Sequence, residues 1–462
     1  MPTTNDQMQA WCRVLLNADP KAFKGTLEQY LADIPRFDSL ANVPSGTPVL
    51  VRGDVDAKPG EKVGEGDIRL RSMKDTLAYG ISKGWKQIVF GHIGRKPEGS
   101  LKKVAARIGE ILGVKTTLIT DWLDPATTTI KDAAAKQIAD APAGSVLVLE
   151  NTRAYPIETV LWDKTEEQLG EVAPNLAKLA NEFASKVAKV YVNEALSAGS
   201  LDASSTIIPA AMEKVALGKY VAGEFDGPML QCLKAKLVVF SGIKIDKLDD
   251  LEAMIARGTV KTVISAGSLA MALKKGAARL AGGDFELGAS TNPANKKEGW
   301  FIPPERIDQA QRIIREGKAK GIEFVLPIDF VMSDGRVVDQ LGPTDAQFDV
   351  GPKSSALFEH AVSQFIASNK GKSAVAFYNG VFGKFEEAPF HTATEKFIAQ
   401  LKRLKDAGIE VYVGGGEGGT ALERFGQPDW VSHCFTAGGT VLNALGASPV
   451  PYLVALRMAA KK

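Results

Sequence analysis

The feature that most constrains this chain is a series of short apolar runs, each ending abruptly in residues suited to holding anions. In the first half these are V-L-V-R-G-D-V-D (49–56), V-F-G-H-I-G-R (89–95), V-L-V-L-E-N-T-R (146–153) and V-Y-V-N-E (190–194), with Arg69 close by. In the second half they are V-V-F-S-G-I-K (238–244), V-I-S-A-G-S (263–268), F-Y-N-G (377–380), V-Y-V-G-G-G-E-G-G (411–419) and F-T-A-G-G-T (435–440). Stretches with helical periodicity separate them, such as M-K-D-T-L-A-Y-G-I-S-K (73–83) and L-K-K-V-A-A-R-I-G-E-I-L (101–112). Strands apolar on both faces that alternate with helices are the pattern of parallel α/β sheets. Ligands of such open sheets bind beyond the carboxyl ends of the strands, which is where these polar and glycine residues fall.

A chain of 462 residues exceeds what one hydrophobic core usually serves. The fold class expected is α/β, with two doubly wound parallel-sheet domains joined by a hinge helix. Residues 1–36 read as an N-terminal helical extension (W-C-R-V-L-L, then T-L-E-Q-Y-L-A-D-I) without chemistry of its own. Residues 37–220 form the first domain, and 221–236 a connecting helix in a stretch, 211–236, that carries no strong strand. Residues 237–446 form the second domain and 447–462 a C-terminal segment. Residues 282–304 read as a long surface loop.

Bulk properties exclude several classes. The net charge of +2 gives no global field for nucleic acid or a membrane surface, so any cationic site is local. Cys12, Cys232 and Cys434 are far apart and odd in number, which fits a reducing compartment and rules out a cysteine-built zinc site. The N-terminus M-P-T-T-N-D-Q lacks the basic and hydrophobic regions of a secretory signal, and no apolar run reaches membrane-spanning length. A cytoplasmic, soluble protein is expected.

The two halves carry different chemistry. Arg52, Arg69, Arg95 and Arg153 lie at or near predicted strand ends, and a guanidinium grips phosphate or carboxylate in bidentate fashion. His92 adds a donor whose charge can respond near neutral pH. Asp54 and Asp56 would orient the arginines or accept from a substrate hydroxyl. In the second half, successive glycines after an apolar strand let the backbone aim N–H groups at a phosphate, and a following helix adds a partial positive charge. Glu417, inside that loop, is the best-placed carboxylate for a magnesium ion. Lys244 and Lys247 follow S-G and would neutralise transferring phosphate oxygens. Neither a Walker A loop nor a dinucleotide fingerprint occurs. His360, His391 and His433 are isolated and receive no role, and Cys434 reads as a buried small thiol.

In motif order and content the chain resembles phosphoglycerate kinase over about residues 45–460. V-L-V-R-G-D-V-D is similar to that family's V-L-x-R-x-D-x-N, G-H-I-G-R to S-H-L-G-R, L-E-N-T-R to L-E-N-x-R, and Y-V-N-E-A to V-N-D-A-F. S-G-I-K-I-D-K resembles G-G-A-K-V-x-D-K, L-P-I-D-F-V resembles L-P-x-D-x-V, and D-V-G-P-K-S resembles D-I-G-P-x-T. Y-N-G-V-F-G-K-F-E is similar to W-N-G-P-x-G-x-F-E, G-G-G-E-G-G to G-G-G-D, and F-T-A-G-G-T to S-T-G-G-G-A.

The resemblance implies a two-domain hinge kinase that moves phosphoryl reversibly between 1,3-bisphosphoglycerate and ADP, giving 3-phosphoglycerate and ATP, with Mg2+ as cofactor. Its partners would be small molecules alone, with no nucleic acid or membrane, and the protein would be a monomer. By position, Asp54, Asp56, Arg69, His92, Arg95 and Arg153 inherit the acid-substrate site. Gly242, Lys247, Asn379, Glu386, Gly414, Gly415, Gly416, Glu417, Gly418, Gly438 and Gly439 inherit the nucleotide site, with Glu386 expected on the ribose and Glu417 at the metal. Arg69 and either Lys244 or Lys247 would be catalytic. The segment 447–462 is expected to return to the first domain.

The departures from the family pattern are specific. The family's A-H-R-A-H reads G-S-L-D-A (199–203), so Leu201 stands where an arginine is expected. Asp56 replaces an asparagine, Ser241 a glycine, Val381 a proline and Glu417 an aspartate, and the span from Lys244 to Lys247 is one residue short. Two alternatives follow: a kinase that makes an acyl phosphate of another carboxylic acid, and a non-catalytic nucleotide-binding homologue.

Overall fold

The computed structural model describes residues 2–16, 26–60, 67–446 and 449–462. Residues 17–25 of the N-terminal segment and the first two residues of the segment 447–462 lie outside the described residues. The chain divides into two compact units, residues 1–226 together with 449–462, and residues 227–448.

The first unit is built on a six-stranded sheet: β1 (Pro48–Gly53), β2 (Lys86–Phe90), β3 (Thr116–Ile119), β4 (Val146–Leu149), β5 (Val190–Glu194) and β6 (Lys214–Leu217). Their spatial order is β3-β4-β2-β1-β5-β6, and every neighbouring pair is parallel. The central strands are buried on both faces: Val49, Val51, Val89, Val148 and Val192 pack with Leu70, Leu77 and Ile108 from the flanking helices. That two-sided burial is why the runs are apolar without alternation.

The second unit repeats the architecture with β7 (Leu237–Phe240), β8 (Thr262–Ser265), β9 (Glu323–Val325), β10 (Val375–Asn379), β11 (Glu410–Val413) and β12 (His433–Cys434). The order is β9-β8-β7-β10-β11-β12, again parallel throughout. The direction of winding reverses between β7 and β10, and that crevice is where such sheets bind ligands. A small three-stranded antiparallel sheet (Phe330–Met332, Val337–Val338, Gln347–Val350) is an addition the apolar pattern does not announce.

Three sequence expectations need correction. The stretch 211–236 does contain a strand, β6, because K-V-A-L is too short to stand out yet pairs along β5 at the sheet edge. The connecting helix runs earlier than 221–236 and in pieces: Lys219–Glu224, a π-helical turn over Phe225–Met229, then Leu230–Cys232. Pro228 lies in the π-turn, where a residue without an N–H is accommodated by the wider winding. The N-terminal helix Asn5–Leu15, read as part of an extension outside the first domain, belongs to the first unit. It buries Met8, Trp11, Cys12 and Leu15, and Trp11 donates its indole N–H to Thr206 O at 2.8 Å. The C-terminal helix Pro451–Ala460 also belongs to the first unit, where Arg457 pairs with Asp33 at 2.6 Å.

Candidate functional site

In the first unit, the residues after β1, β2, β4 and β5 converge. Asn151 organises them locally: its side-chain oxygen accepts from Ile93 N at 3.1 Å and Arg153 N at 3.2 Å, and its amide donates to Gly99 O at 2.9 Å. Gly94 lies between the loops at φ +70°, a conformation that favours glycine. It donates to Asp56 Oδ1 at 2.8 Å and accepts from Arg153 Nη1 at 2.6 Å. Arg69 reaches the same place from the helix Ile68–Ser72, donating to Asp56 O at 2.8 Å and to its carboxylate at 3.3 Å, with Asp54 Oδ1 at 3.8 Å. Asp54 is fully buried and accepts from the Ser197 hydroxyl at 2.6 Å. Burial pushes its carboxyl up, opposed by Arg69 and Ser197. Burial also acts on Asp56, but the Gly94 N–H and the nearby cationic groups outweigh it and hold that carboxyl below its ordinary value. Arg95 is exposed and has no polar partner among the described residues.

A second group, which the sequence reading missed, lies directly behind these. Asp202 is fully buried, and its Oδ2 stands 3.1 Å from His92 Nδ1, 3.3 Å from Arg153 Nη2 and 3.8 Å from Arg52 Nη2. Its other oxygen accepts from the indole N–H of Trp162 at 3.0 Å, and the Arg153 guanidinium lies over that ring at 4.8 Å. Burial pushes the His92 imidazole down, helped by the charges of Arg52 and Arg153 and only partly opposed by Asp202, so it supplies no fixed positive charge at neutral pH. Arg52 is enclosed: it donates to Ser204 Oγ at 2.9 Å, to Gly53 O at 2.7 Å, and meets His92 Nδ1 at 2.9 Å. Ser204 in turn donates to Glu158, whose carboxyl is pushed up to about 7 by burial and the Asp202 charge. Arg52 is therefore a buried scaffold cation rather than a ligand clamp. Glu194, at the end of β5, is likewise architectural: it accepts from the N–H groups of Tyr220 and Val221 and caps the helix Lys219–Glu224.

In the second unit the glycine-ended strands enclose a cavity of about 400 Å³. Lys244, Lys247, Asn379, Gly415, Gly416, Glu417, Gly438 and Gly439 line it, with Asp246, Asp249, Asp250 and Asn443. Gly242 lies beside it at φ +114°; a Cβ there would stand 3.2 Å from Lys247 Nζ and 3.5 Å from Glu417 Oε2, so the ammonium and carboxylate face the same space. Gly414 and Gly418 are buried supports, and Glu386 is exposed in the loop after β10; none of the three lines the cavity.

The two lysines differ. The helix Lys247–Arg257 starts at Lys247, so that side chain is buried in the first turn and donates to Ser241 O at 2.7 Å, while Lys244 stays exposed in the loop. Burial pushes the Lys247 ammonium down, and Lys244 adds to this while Glu417 opposes it. Two family departures also pair with each other: the Ser241 hydroxyl donates to Val381 O at 2.7 Å, tying the end of β7 to that of β10. Gly414 and Gly415 are close-packed, since a Cβ would meet Asn379 Nδ2 at 2.3 Å on the first and Phe435 O at 2.2 Å on the second, while Gly416 is open. The helices Glu417–Phe425 and Gly438–Leu445 both begin at the cavity, and a helix N-terminus presents backbone N–H groups and a partial positive charge to an anion.

The family model described as Phosphoglycerate kinase matches residues 41–447. The chain belongs to the phosphoglycerate kinase family. With that membership comes the kinase, or phosphotransferase, class. The chain is 28% identical over 408 residues to cytosolic phosphoglycerate kinase 3 of Arabidopsis thaliana, covering 84% of this chain and 90% of that one. It is 28% identical over 430 residues to phosphoglycerate kinase of Clostridium novyi (strain NT), covering 89% and 96%. In fold it is similar to phosphoglycerate kinase from Pyrococcus horikoshii OT3, with a TM-score of 0.70 at 21% identity over 93% of this chain and 100% of that one. The Coxiella burnetii structure gives a TM-score of 0.64 at 21% identity, covering 91% and 99%. At these identities the chain is a divergent member of the family. Among the described residues, no helix is long and apolar enough to cross a membrane.

Proposed function

We propose that the protein transfers a phosphoryl group reversibly between an adenine nucleotide and a carboxyl group, with ATP or ADP in the glycine-lined cavity of the second unit and the acid among the arginines of the first. The observation that carries this reading is the convergence of Lys247 Nζ, Glu417 and two helix N-termini on one cavity. Helix N-termini and bare amides suit a polyphosphate, and a buried ammonium suits the charge of the group in transit. The oxygen donors around the cavity, Glu417 first among them, fit Mg2+, a hard cation that takes carboxylate oxygens. When bound it would neutralise nucleotide phosphate charge. Direct transfer needs no covalent enzyme intermediate, so the residues act by positioning and charge.

In the form that the resemblance to phosphoglycerate kinases implies, the proposed reaction is 1,3-bisphosphoglycerate plus ADP giving 3-phosphoglycerate and ATP, a step of glycolysis, gluconeogenesis or carbon fixation. A second acceptor, another carboxylic acid, is favoured by one observation: Asp202 engages Arg153, a cation that an anionic substrate would otherwise meet, together with the His92 imidazole. A cytoplasmic location is part of the same proposal, supported by relatives named as cytosolic, and a monomeric state is proposed with it. The test is ATP-dependent acyl phosphate, trapped with hydroxylamine, using 3-phosphoglycerate first and then a panel of carboxylic acids. Folded protein that binds Mg-ADP yet makes no acyl phosphate from any of them would leave the non-catalytic homologue as the reading.

A further inference from the structure

The acid site of this chain contains its own anion. Asp202 sits where groups from three strand ends meet, with Oδ2 3.1 Å from the His92 imidazole, 3.3 Å from the Arg153 guanidinium and 3.8 Å from that of Arg52. Its position is fixed from several directions. Trp162, with its side chain 42% exposed, donates to Oδ1 and also lies under the Arg153 guanidinium. The backbone carbonyl of Asp202 accepts from Ser205 and Thr206, so the helix Ala203–Thr206 anchors the residue independently of its side chain. An incoming phosphate could reach these cations only by displacing a buried carboxylate or by lying against it. Like charges so placed cost several kcal/mol of binding, on the order of a hundredfold or more in affinity.

The local charge count points the same way. The guanidinium groups of Arg52, Arg69 and Arg153 each face at least one carboxylate among Asp54, Asp56 and Asp202. A doubly charged phosphate together with a carboxylate has little net positive charge left to meet. What remains accessible is Arg95, which is exposed, and Arg69, whose side chain is 26% exposed. Together they suit one carboxylate, with the Ser197–Asp54 pair beside them for a hydroxyl.

We propose that Asp202 is a specificity-determining residue whose carboxylate takes the place of the acceptor's distal anion, so that this chain prefers a small hydroxycarboxylic acid without a phosphate. The chemistry is unchanged: a carboxylate oxygen of the acid attacks the terminal phosphorus of ATP, the bond from that phosphorus to the bridging oxygen breaks, and ADP leaves with the electron pair. This inference rests on the reading above that a carboxyl group is the acceptor.

The test compares glycerate with 3-phosphoglycerate, in the wild-type protein and in Asp202→Asn. Binding is read by calorimetry and turnover by hydroxylamine-trapped acyl phosphate with Mg-ATP. The expected result is a wild-type protein that binds and phosphorylates glycerate better than 3-phosphoglycerate. In Asp202→Asn the ratio should shift toward 3-phosphoglycerate by tenfold or more, mainly in KM. Wild-type preference for 3-phosphoglycerate, or a ratio unmoved by the substitution, overturns the inference and leaves a carboxyl kinase in place. Acyl phosphate from neither acid, with Mg-ADP still bound, removes the underlying reading and the inference with it. Should Asp202→Asn fail to fold, the wild-type binding ratio decides alone.

Discussion

Replacing Lys247 by methionine separates the proposed catalytic use of a buried charge from its structural one. The ammonium is 7% exposed and donates to Ser241 O at 2.7 Å, next to the face of Gly242 that Glu417 also approaches. A preorganised charged donor at a developing charge is worth roughly 10²–10³ in kcat, or about 3–4 kcal/mol. Methionine keeps the length and the burial, and removes the cost of burying the charge. Against that, Ser241 O loses its side-chain donor, a loss of about 1–3 kcal/mol that partly offsets the gain. The stability change is therefore small and depends on pH with a definite sign. Burial lowers the folded-state pKa of Lys247 below its ordinary value of 10.5, so in the window between the two the unfolded chain binds more protons. Wild-type stability relative to Lys247→Met then rises as pH climbs toward 10.5. The assay is acyl phosphate formation at saturating Mg-ATP, with Mg-ADP affinity by calorimetry and melting at several pH values. The expected outcome is a fall in kcat of a hundredfold or more with nucleotide affinity changed less than tenfold. Lys244→Ala, on an exposed and well-solvated charge, should lose less than tenfold. A kcat in Lys247→Met within threefold of wild type, with nucleotide still bound, would refute the reasoning.

Three further substitutions probe other parts. Gly415→Ala drives a Cβ to 2.2 Å from Phe435 O and 2.8 Å from Ala437 N, both backbone atoms, so Mg-ADP affinity should drop at least tenfold in calorimetry; wild-type affinity would mean that the loop does not hold the nucleotide. Arg69→Ala removes the hydrogen bonds to Asp56 and should raise KM for the acid at least tenfold without moving Mg-ADP affinity; a shift in nucleotide affinity instead would count against the assignment of Arg69 to the acid. Glu194→Gln tests a buried carboxyl that burial lifts from 4.5 to about 7. Because the folded pKa is raised, the penalty is absent below about pH 4.5 and complete above about 7, reaching at most on the order of 3 kcal/mol. Urea unfolding should show Glu194→Gln gaining on the wild type between pH 5.5 and 8, and a pH-independent gap between the two would sink the explanation.

Much of the fold and part of the site can be read in the linear chain. The parallel α/β class follows from apolar runs of strand length between helical stretches, because a strand buried on both faces must be apolar throughout. The placement of the candidate site residues after those runs follows from the same topology, since the loops at the carboxyl ends are what the sheet leaves open. The glycine-rich second half and the arginine-rich first half are local patterns, and they fall on different units.

Other features have no local signature. β6 is four residues at an edge, with its identity set by pairing along β5 rather than by its own composition. Lys244 and Lys247 are equivalent on paper; the start of one helix buries the second and leaves the first in solvent. Arg52 reads like its fellow arginines until Ser204 and His92 close around it. Leu201 marks a missing clamp in the sequence, yet the larger change is the next residue. Asp202 acquires its meaning from residues 52, 92, 153 and 162, which meet only when separate strand ends are brought together. The sequence alone determined the parallel α/β class, the glycine- and arginine-bearing strand ends and the kinase class, because these depend on periodicity and residue type over short spans. Tertiary structure alone decided which charges are free to meet a ligand, because a charge is cancelled by what lies near it in space.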